Sequence, residues 1–237
     1  MARMSEVLRV EHVRKSFGAK VVLDDINFTL NAGECLGIVG LSGCGKSTLA
    51  RIIARLIPSD AGKIFLCGED ITCASGKDFY RNVQMIFQMP EESFDPRRTL
   101  GESIAEPIKN FKVNVRIEDL LEQVGLSKEL MERYPREVSG GQCQRAAIAR
   151  AISVAPKVLI CDEATNALDV TIQAQIIKLI KKFCVEKKIA CLFITHDLEI
   201  LTDLANSVVV LHAGKLVKKV KIENLIYVGE FEHSATC

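Results

Sequence analysis

Apolar residues in this 237-residue chain gather in short runs rather than long stretches. Residues 34–40 (ECLGIVG), 157–163 (KVLICDE), 189–195 (IACLFIT) and 207–214 (SVVVLHAG) are apolar between polar or glycine ends, the pattern of strands buried on both faces. Helical periodicity fills 170–187 and 198–204, and the amphipathic STLARIIARLI follows the first run. Strands alternating with helices predict a parallel sheet covered on both sides. Earlier segments near 7–14, 20–30 and 62–67 read as further β structure. The middle differs, because Pro90, Pro96 and Pro107 break regular structure and 117–134 and 141–155 read as helices. No repeat, low-complexity tract or linker divides the chain. The expectation is one domain over 1–237, with 1–88 and 156–237 as core and 89–155 as a largely helical subdomain.

Composition narrows the function classes. Hydrophobic residues make up 48% and charged residues 26%, with mean hydropathy +0.17, which excludes general disorder. Lys and Arg number 31 against 30 Asp and Glu, so no global basic field draws the chain to nucleic acid, and no nucleic-acid partner is expected. The basic run Lys215, Lys218, Lys219 and Lys221 alternates with Leu216, Val217 and Val220 and reads as a solvated strand face. A transmembrane helix needs about 20 apolar residues, whereas the run from Ile189 to Ile194 is bounded by Lys188 and Thr195. Glu6, Arg9, Glu11 and Arg14 interrupt the N-terminal apolar positions, so no signal-peptide core is present and the chain is expected to stay in the cytosol. Nine cysteines without a CxxC pair predict reduced, mostly buried thiols rather than disulfides or a metal cluster.

Gly40-Leu41-Ser42-Gly43-Cys44-Gly45-Lys46-Ser47 fits G-x-x-x-x-G-K-[ST] at a strand-to-helix junction. The glycines let the backbone turn its N–H groups onto a polyphosphate, and the following helix N-terminus adds its partial positive charge. Lys46 would reach the β- and γ-phosphates, and Ser47 would ligate Mg²⁺. At the end of KVLICDE, Asp162 is suited to hold Mg²⁺ through water and Glu163 to orient the water that attacks the γ-phosphate. Val138-Ser139-Gly140-Gly141-Gln142 opens another helix and makes a second anion site, too far along the chain to fold back onto its own phosphate loop.

The order of these motifs, together with Gln88, Asn166-Ala167-Leu168-Asp169 and Thr195-His196-Asp197, resembles the nucleotide-binding domain of ABC ATPases over nearly the whole chain. That resemblance implies an α/β P-loop NTPase with a mostly parallel core sheet, an N-terminal antiparallel β region and a helical subdomain. It implies ATP and Mg²⁺, ATP hydrolysis, and a second ATPase subunit arranged head to tail so that two domains enclose two nucleotides. Phe17 would stack on adenine, although an aromatic there could equally belong to the core. Gly40, Leu41, Ser42, Gly43, Cys44, Gly45, Lys46, Ser47 and Thr48 would hold the nucleotide, with Ser139, Gly141 and Gln142 capping the γ-phosphate of the partner. Gln88 would contact Mg²⁺ and the attacking water, His196 the γ-phosphate, and Asp169 would run along the dimer interface. Lys46, Gln88, Glu163 and His196 are thus the expected catalytic residues, and Ser47, Gln88 and Asp162 the metal ligands. Arg145 and Arg150 lie five apart on the helix that the family's signature, Val138-Ser139-Gly140-Gly141-Gln142, opens (the signature helix), and are expected to be solvated or salt-bridged. Cys44 and Cys143 would approach each other across the nucleotide in a pair of identical chains, so alkylation is expected to block activity and MgATP to protect.

From Gln88 to Pro107 the sequence QMPEESFDPRRTLGESIAEP is similar to a pattern of peptide and nickel importers, with Asp95 where Asn is usual. SGCGKSTLAR, CLFITHDL and the region after Gly214 look most like the second ATP-binding subunit of a nickel importer. Peptide-importer ATPases usually continue through a segment resembling Asn-Pro-x-His-Pro-Tyr-Thr, which this sequence lacks, so the expectation leans to nickel or another transition metal. His12, His212 and His233 are too scattered to hold such a cargo, which would touch other subunits. The implied partners are two integral-membrane permeases and an extracytoplasmic solute-binding protein, with the chain peripheral at the cytoplasmic face of the membrane. A peptide importer and a non-transport ABC ATPase of a soluble complex, such as one degrading phosphonates, stay open. A small-molecule kinase would leave VSGGQ and His196 unexplained.

Overall fold

A computed structural model describes residues 5–74, 76–165 and 168–225. Asn166, Ala167, His233 and Cys237 therefore lie outside the described residues. The chain opens with β1 (Glu6–Phe17) and β2 (Lys20–Asn31), in which inward and outward residues alternate and Val10 stands opposite Phe28. Wholly buried β3 (Cys35–Val39) leads through the glycine loop into α1 (Lys46–Ile53), whose Leu49, Ile52 and Ile53 are buried. Next come β4 (Ala61–Leu66), short β5 (Glu69–Asp70), α2 (Lys77–Asn82) and β6 (Val83–Ile86). The middle of the chain supplies α3 (Leu100–Phe111), α4 (Ile117–Gln123) and α5 (Gly140–Ile152). The remainder runs β7 (Val158–Asp162), α6 (Val170–Lys187), β8 (Ala190–Ile194), α7 (Leu198–Leu204), β9 (Ser207–His212), β10 (Lys215–Lys221) and α8 (Ile222–Leu225).

Two sheets result. The first is antiparallel in the order β2-β1-β4-β5, and the second runs β10-β9-β3-β8-β7-β6, parallel from β9 to β6 with β10 antiparallel at one edge. The wholly apolar runs are the inner strands of the parallel sheet because both their faces are covered. Leu36 and Ile38 of β3, Ile160 of β7 and Leu192 of β8 pack toward the antiparallel sheet and α1. Cys35, Val39, Cys161 and Phe193 on the opposite face join α3 to α7 in a second core. On β10, Lys215 pairs with Asp24 and Lys219 with Glu34 while the side chains stay largely exposed, as expected for lysines that guard a sheet edge.

The helical middle departs from expectation in two places. Helix α4 stops at Gln123 because Gly125 takes φ +70° and the Leu126 N–H bonds back to the Leu121 carbonyl, a left-handed glycine stop that leaves only 3₁₀ turns at 128–132 and 135–137. Pro107, expected to break structure, lies inside α3. That helix is held by other means: Thr99 and Glu102 exchange capping bonds at its start, and Leu100 and Ile104 are fully buried. Tertiary packing outweighs the proline penalty there.

Candidate functional site

The glycine loop is shaped by contacts that only glycine permits. A Cβ on Gly40 would lie 2.2 Å from the Leu211 carbonyl oxygen, and Gly45 caps α1 at φ +111° with Val22 and Leu23 of β2 packed against it. The loop therefore sits between the end of β3, the end of β9 and β2. Lys46 is 5% exposed, and its ammonium donates to the carbonyls of Gly40 at 2.7 Å and Leu41 at 3.0 Å. Its charge is held inside the loop it would share with a phosphate.

Two neighbouring strand ends complete the arrangement. Asp162, last in β7, accepts a 3.0 Å bond from the Ser47 hydroxyl. Burial pushes its carboxyl above the usual carboxylate range, and the Ser47 bond only partly offsets this. Glu163 follows at φ +50°, a left-handed conformation for a residue with a side chain, held by its N–H bond to the Ile194 carbonyl at 3.0 Å. The turn lifts the Glu163 carboxylate out of the sheet to 20% exposure, 3.9 Å from His196 Nδ1.

An open cleft of 470 Å³ gathers much of the expected set. Ser42, Gly43, Gly45, Lys46, Ser47 and Thr48 line it from the loop, Phe17 and Val22 from β1 and β2, and Gln88 and Glu163 from the β6 and β7 ends. Phe17 is 52% exposed, so it is not a core aromatic. Gly40, Leu41, Cys44, Asp162 and His196 stand beside this cleft without lining it.

Ser139, Gly141, Gln142 and Asp169 are placed elsewhere. Ser139 and Gln142 exchange capping bonds at the start of α5, and Asp169 caps α6 by accepting from the Ile172 N–H. Gly141 packs on Ile172, so the two helix starts lie together.

Three expectations need correction. Cys143 is 0% exposed and faces the core, with burial pushing its thiol up to about 12, so of the two only Cys44 is partly exposed. Arg145 is not a solvated side chain: it donates to the Val124 carbonyl and to Gln175. Arg150 likewise reaches inward, to Ser93 and the ring of Phe94. Spacing on one helix could not reveal these partners, which come from segments distant in sequence. Among the described residues all cysteines are free, none of the groupings of His, Cys, Asp and Glu could hold a metal ion by themselves, and no helix is long and apolar enough to cross a membrane.

The sequence profile of the family described as ABC transporter matches residues 23–166, the stretch from β2 through the glycine loop to β7 and its acidic end. This chain belongs to the ABC transporter family. The "Oligopeptide transport ATP-binding protein OppF" of Bacillus subtilis (strain 168) is 40% identical over 93% of this chain and 77% of its own length. The "Probable peptide ABC transporter ATP-binding protein y4tS" of Sinorhizobium fredii is 44% identical over 83% of the chain. OppF of Haemophilus influenzae is 43% identical over 82%. The chain spans 58% and 61% of the length of these last two relatives. Among solved structures, the ABC cassette MJ0796 in a dimeric post-hydrolysis state bound to ADP and Pi superposes with TM-score 0.80 at 25% identity, covering 91% of this chain and 98% of that one. All three relatives carry peptide or oligopeptide transport in their names.

Proposed function

We propose that this ABC-family chain is the ATP-binding and ATP-hydrolysing subunit of a peptide importer, working beside a second ATPase subunit. The observation that carries the reading is the meeting of Lys46, the Ser47–Asp162 pair, Gln88 and Glu163 around one cleft. A buried carboxylate bonded to a hydroxyl at the end of a phosphate loop suits a divalent cation, and Ser47, Asp162 and Gln88 would hold Mg²⁺. When bound, Mg²⁺ neutralises charge on the β- and γ-phosphates.

The chain's own groups do the rest. Lys46 turns from the Gly40 and Leu41 carbonyls to the phosphates, exchanging two hydrogen bonds for a charge-assisted contact. The Glu163 carboxylate accepts a hydrogen bond from the attacking water and aligns it with the γ-phosphate. His196 places its imidazole beside the same phosphate, and Phe17 offers its exposed face to adenine. Ser139, Gly141 and Gln142 of α5 present a helix N-terminus to the nucleotide of the partner subunit, with Asp169 beside them. Nucleotide binding closes the pair, hydrolysis reopens it, and the helical segment 89–155 relays the motion to two permeases at the cytoplasmic face of the membrane. An extracytoplasmic solute-binding protein would deliver the peptide. The peptide cargo, rather than nickel or another metal, rests on the relatives' names.

The test is purification of the tagged chain from gently solubilised native cells, with its companions identified by mass spectrometry. Multi-span permeases and a second ATPase are expected, and the accompanying solute-binding protein should bind oligopeptides in calorimetry. Soluble enzymes alone would overturn the import reading, and a binding protein that takes Ni²⁺ but no peptide would overturn the cargo.

A further inference from the structure

Gln88 reaches the cleft from a short connection whose other end is gripped by the signature helix. The 3₁₀ turn Pro90–Ser93 follows two residues after Gln88. Arg150, in the last turn of α5, donates from Nη1 to the Ser93 carbonyl at 2.7 Å and from Nη2 to the Ser93 hydroxyl at 2.9 Å. That hydroxyl in turn donates to the Pro90 carbonyl at 2.7 Å, which closes the turn on itself. The guanidinium lies 4.4 Å from the centroid of the buried Phe94 ring, and the Ser153 hydroxyl donates to the Arg150 carbonyl. The contact is built rather than incidental, since it combines two directed bonds, a stacked ring and partial burial.

We propose that Arg150 is a positioning residue that fixes the Gln88 turn to the signature helix, so that displacement of the Ser139 end of α5 moves Gln88 in the nucleotide cleft. The proposal rests on the ATPase reading above. Helix α5 begins at Ser139, in the second anion site, and ends beyond Arg150. A 13-residue helix is a stiff rod of roughly 20 Å at 1.5 Å per residue. Engagement of a partner's phosphate at one end is thereby felt by the water- and metal-contacting glutamine at the other, with Arg150 as the joint. Arginine is required because its planar fork serves two oxygens while stacking on a ring, whereas a lysine at this position supplies a single point donor.

The test compares the wild-type chain with Arg150→Lys, Gln88→Ala and the double variant, purified together with their companion subunits. Nucleotide affinity is read with a fluorescent ATP analogue, turnover with saturating MgATP, and folding by thermal melting. Arg150→Lys is expected to keep the nucleotide Kd within about twofold while turnover falls about tenfold to a hundredfold, the scale of a misplaced contact at a reacting centre. In the Gln88→Ala background the same change should cause no further loss. Hydrogen exchange should quicken at residues 88–94 and nowhere else. An equal additional loss without Gln88, or a Kd that rises in step with the fall in turnover, would overturn the proposal and leave Arg150 a structural residue. Should Arg150→Lys unfold, Ser93→Ala, which removes the hydroxyl that accepts from Arg150 and donates to the Pro90 carbonyl but leaves the Arg150 bond to the Ser93 carbonyl, replaces it in the same cycle with the same expected non-additivity. A wild-type complex that binds nucleotide without turnover would instead defeat the ATPase reading, and this inference with it.

Discussion

Glu163 combines the expected catalytic carboxylate with a strained backbone, and three substitutions separate the two. Its φ of +50° lets the chain leave β7 sharply while the amide stays bonded to Ile194. For a residue with a Cβ this conformation costs roughly 1–2 kcal/mol. Glu163→Gly removes that cost but adds back roughly 0.5–1 kcal/mol of unfolded-chain entropy. Against Glu163→Ala, which keeps the Cβ and differs by one methyl, glycine should therefore be the more stable by about 0.5–1 kcal/mol. For a chain of this length 1 kcal/mol moves Tm by about 2–4 °C, so the glycine variant should melt about 1–4 °C above the alanine one. Glu163→Gln preserves shape and should bind ATP almost as the wild type does. All three should lose about 10²–10⁴-fold in turnover, the contribution of a positioned general base. Scanning calorimetry of the nucleotide-free proteins and turnover at saturating MgATP give both readings. A glycine variant melting at or below the alanine variant would refute the strain, and near-normal hydrolysis by Glu163→Gln would remove Glu163 from its role.

Phe17→Ala should raise the nucleotide Kd by about 5- to 150-fold, the equivalent of roughly 1–3 kcal/mol of base stacking, with little change in turnover at saturation; an unchanged Kd in fluorescence titration would mean that the exposed ring does not meet adenine. Asp162 is held above its ordinary pKa by burial, so the stability it lends the nucleotide-free fold is fully present below the unfolded pKa and is lost as pH rises through the folded one. Asp162→Asn, melted without nucleotide in the presence of a chelator, should consequently flatten that decline and raise Tm at neutral pH, and in separate melts without chelator the gain from MgATP should vanish; a lower Tm at neutral pH in the first melts would contradict the burial argument. Alkylation of the native protein should label Cys44 and spare buried Cys143, with MgATP protecting Cys44; full turnover after stoichiometric labelling of Cys44 would show that the loop tolerates an added group.

Much of this protein was written in local pattern. The runs ECLGIVG, KVLICDE and IACLFIT announced strands buried on both faces because each residue alternates between two cores, and they became β3, β7 and β8. The spacing of Gly40, Gly43, Gly45, Lys46 and Ser47 named a phosphate loop because backbone curvature and a helix start are consequences of neighbours in sequence. Helix α3 with Pro107 inside it and the early end of α4 were not legible, since one depends on buried packing of Leu100 and Ile104 and the other on a glycine adopting a left-handed stop rather than a helical turn.

Residue types and short-range spacing thus determined which chemistry this chain could carry, because loop curvature, capping and strand burial are set within a few residues. The tertiary structure alone decided which distant groups share that chemistry. It brought Asp162 to Ser47 across 115 positions, set Glu163 in a left-handed turn beside His196, buried Cys143, and drew Arg150 onto Ser93 and Phe94. Those meetings depend on the order of strands in the parallel sheet and on helices packing over it, and no periodicity in the sequence encodes either.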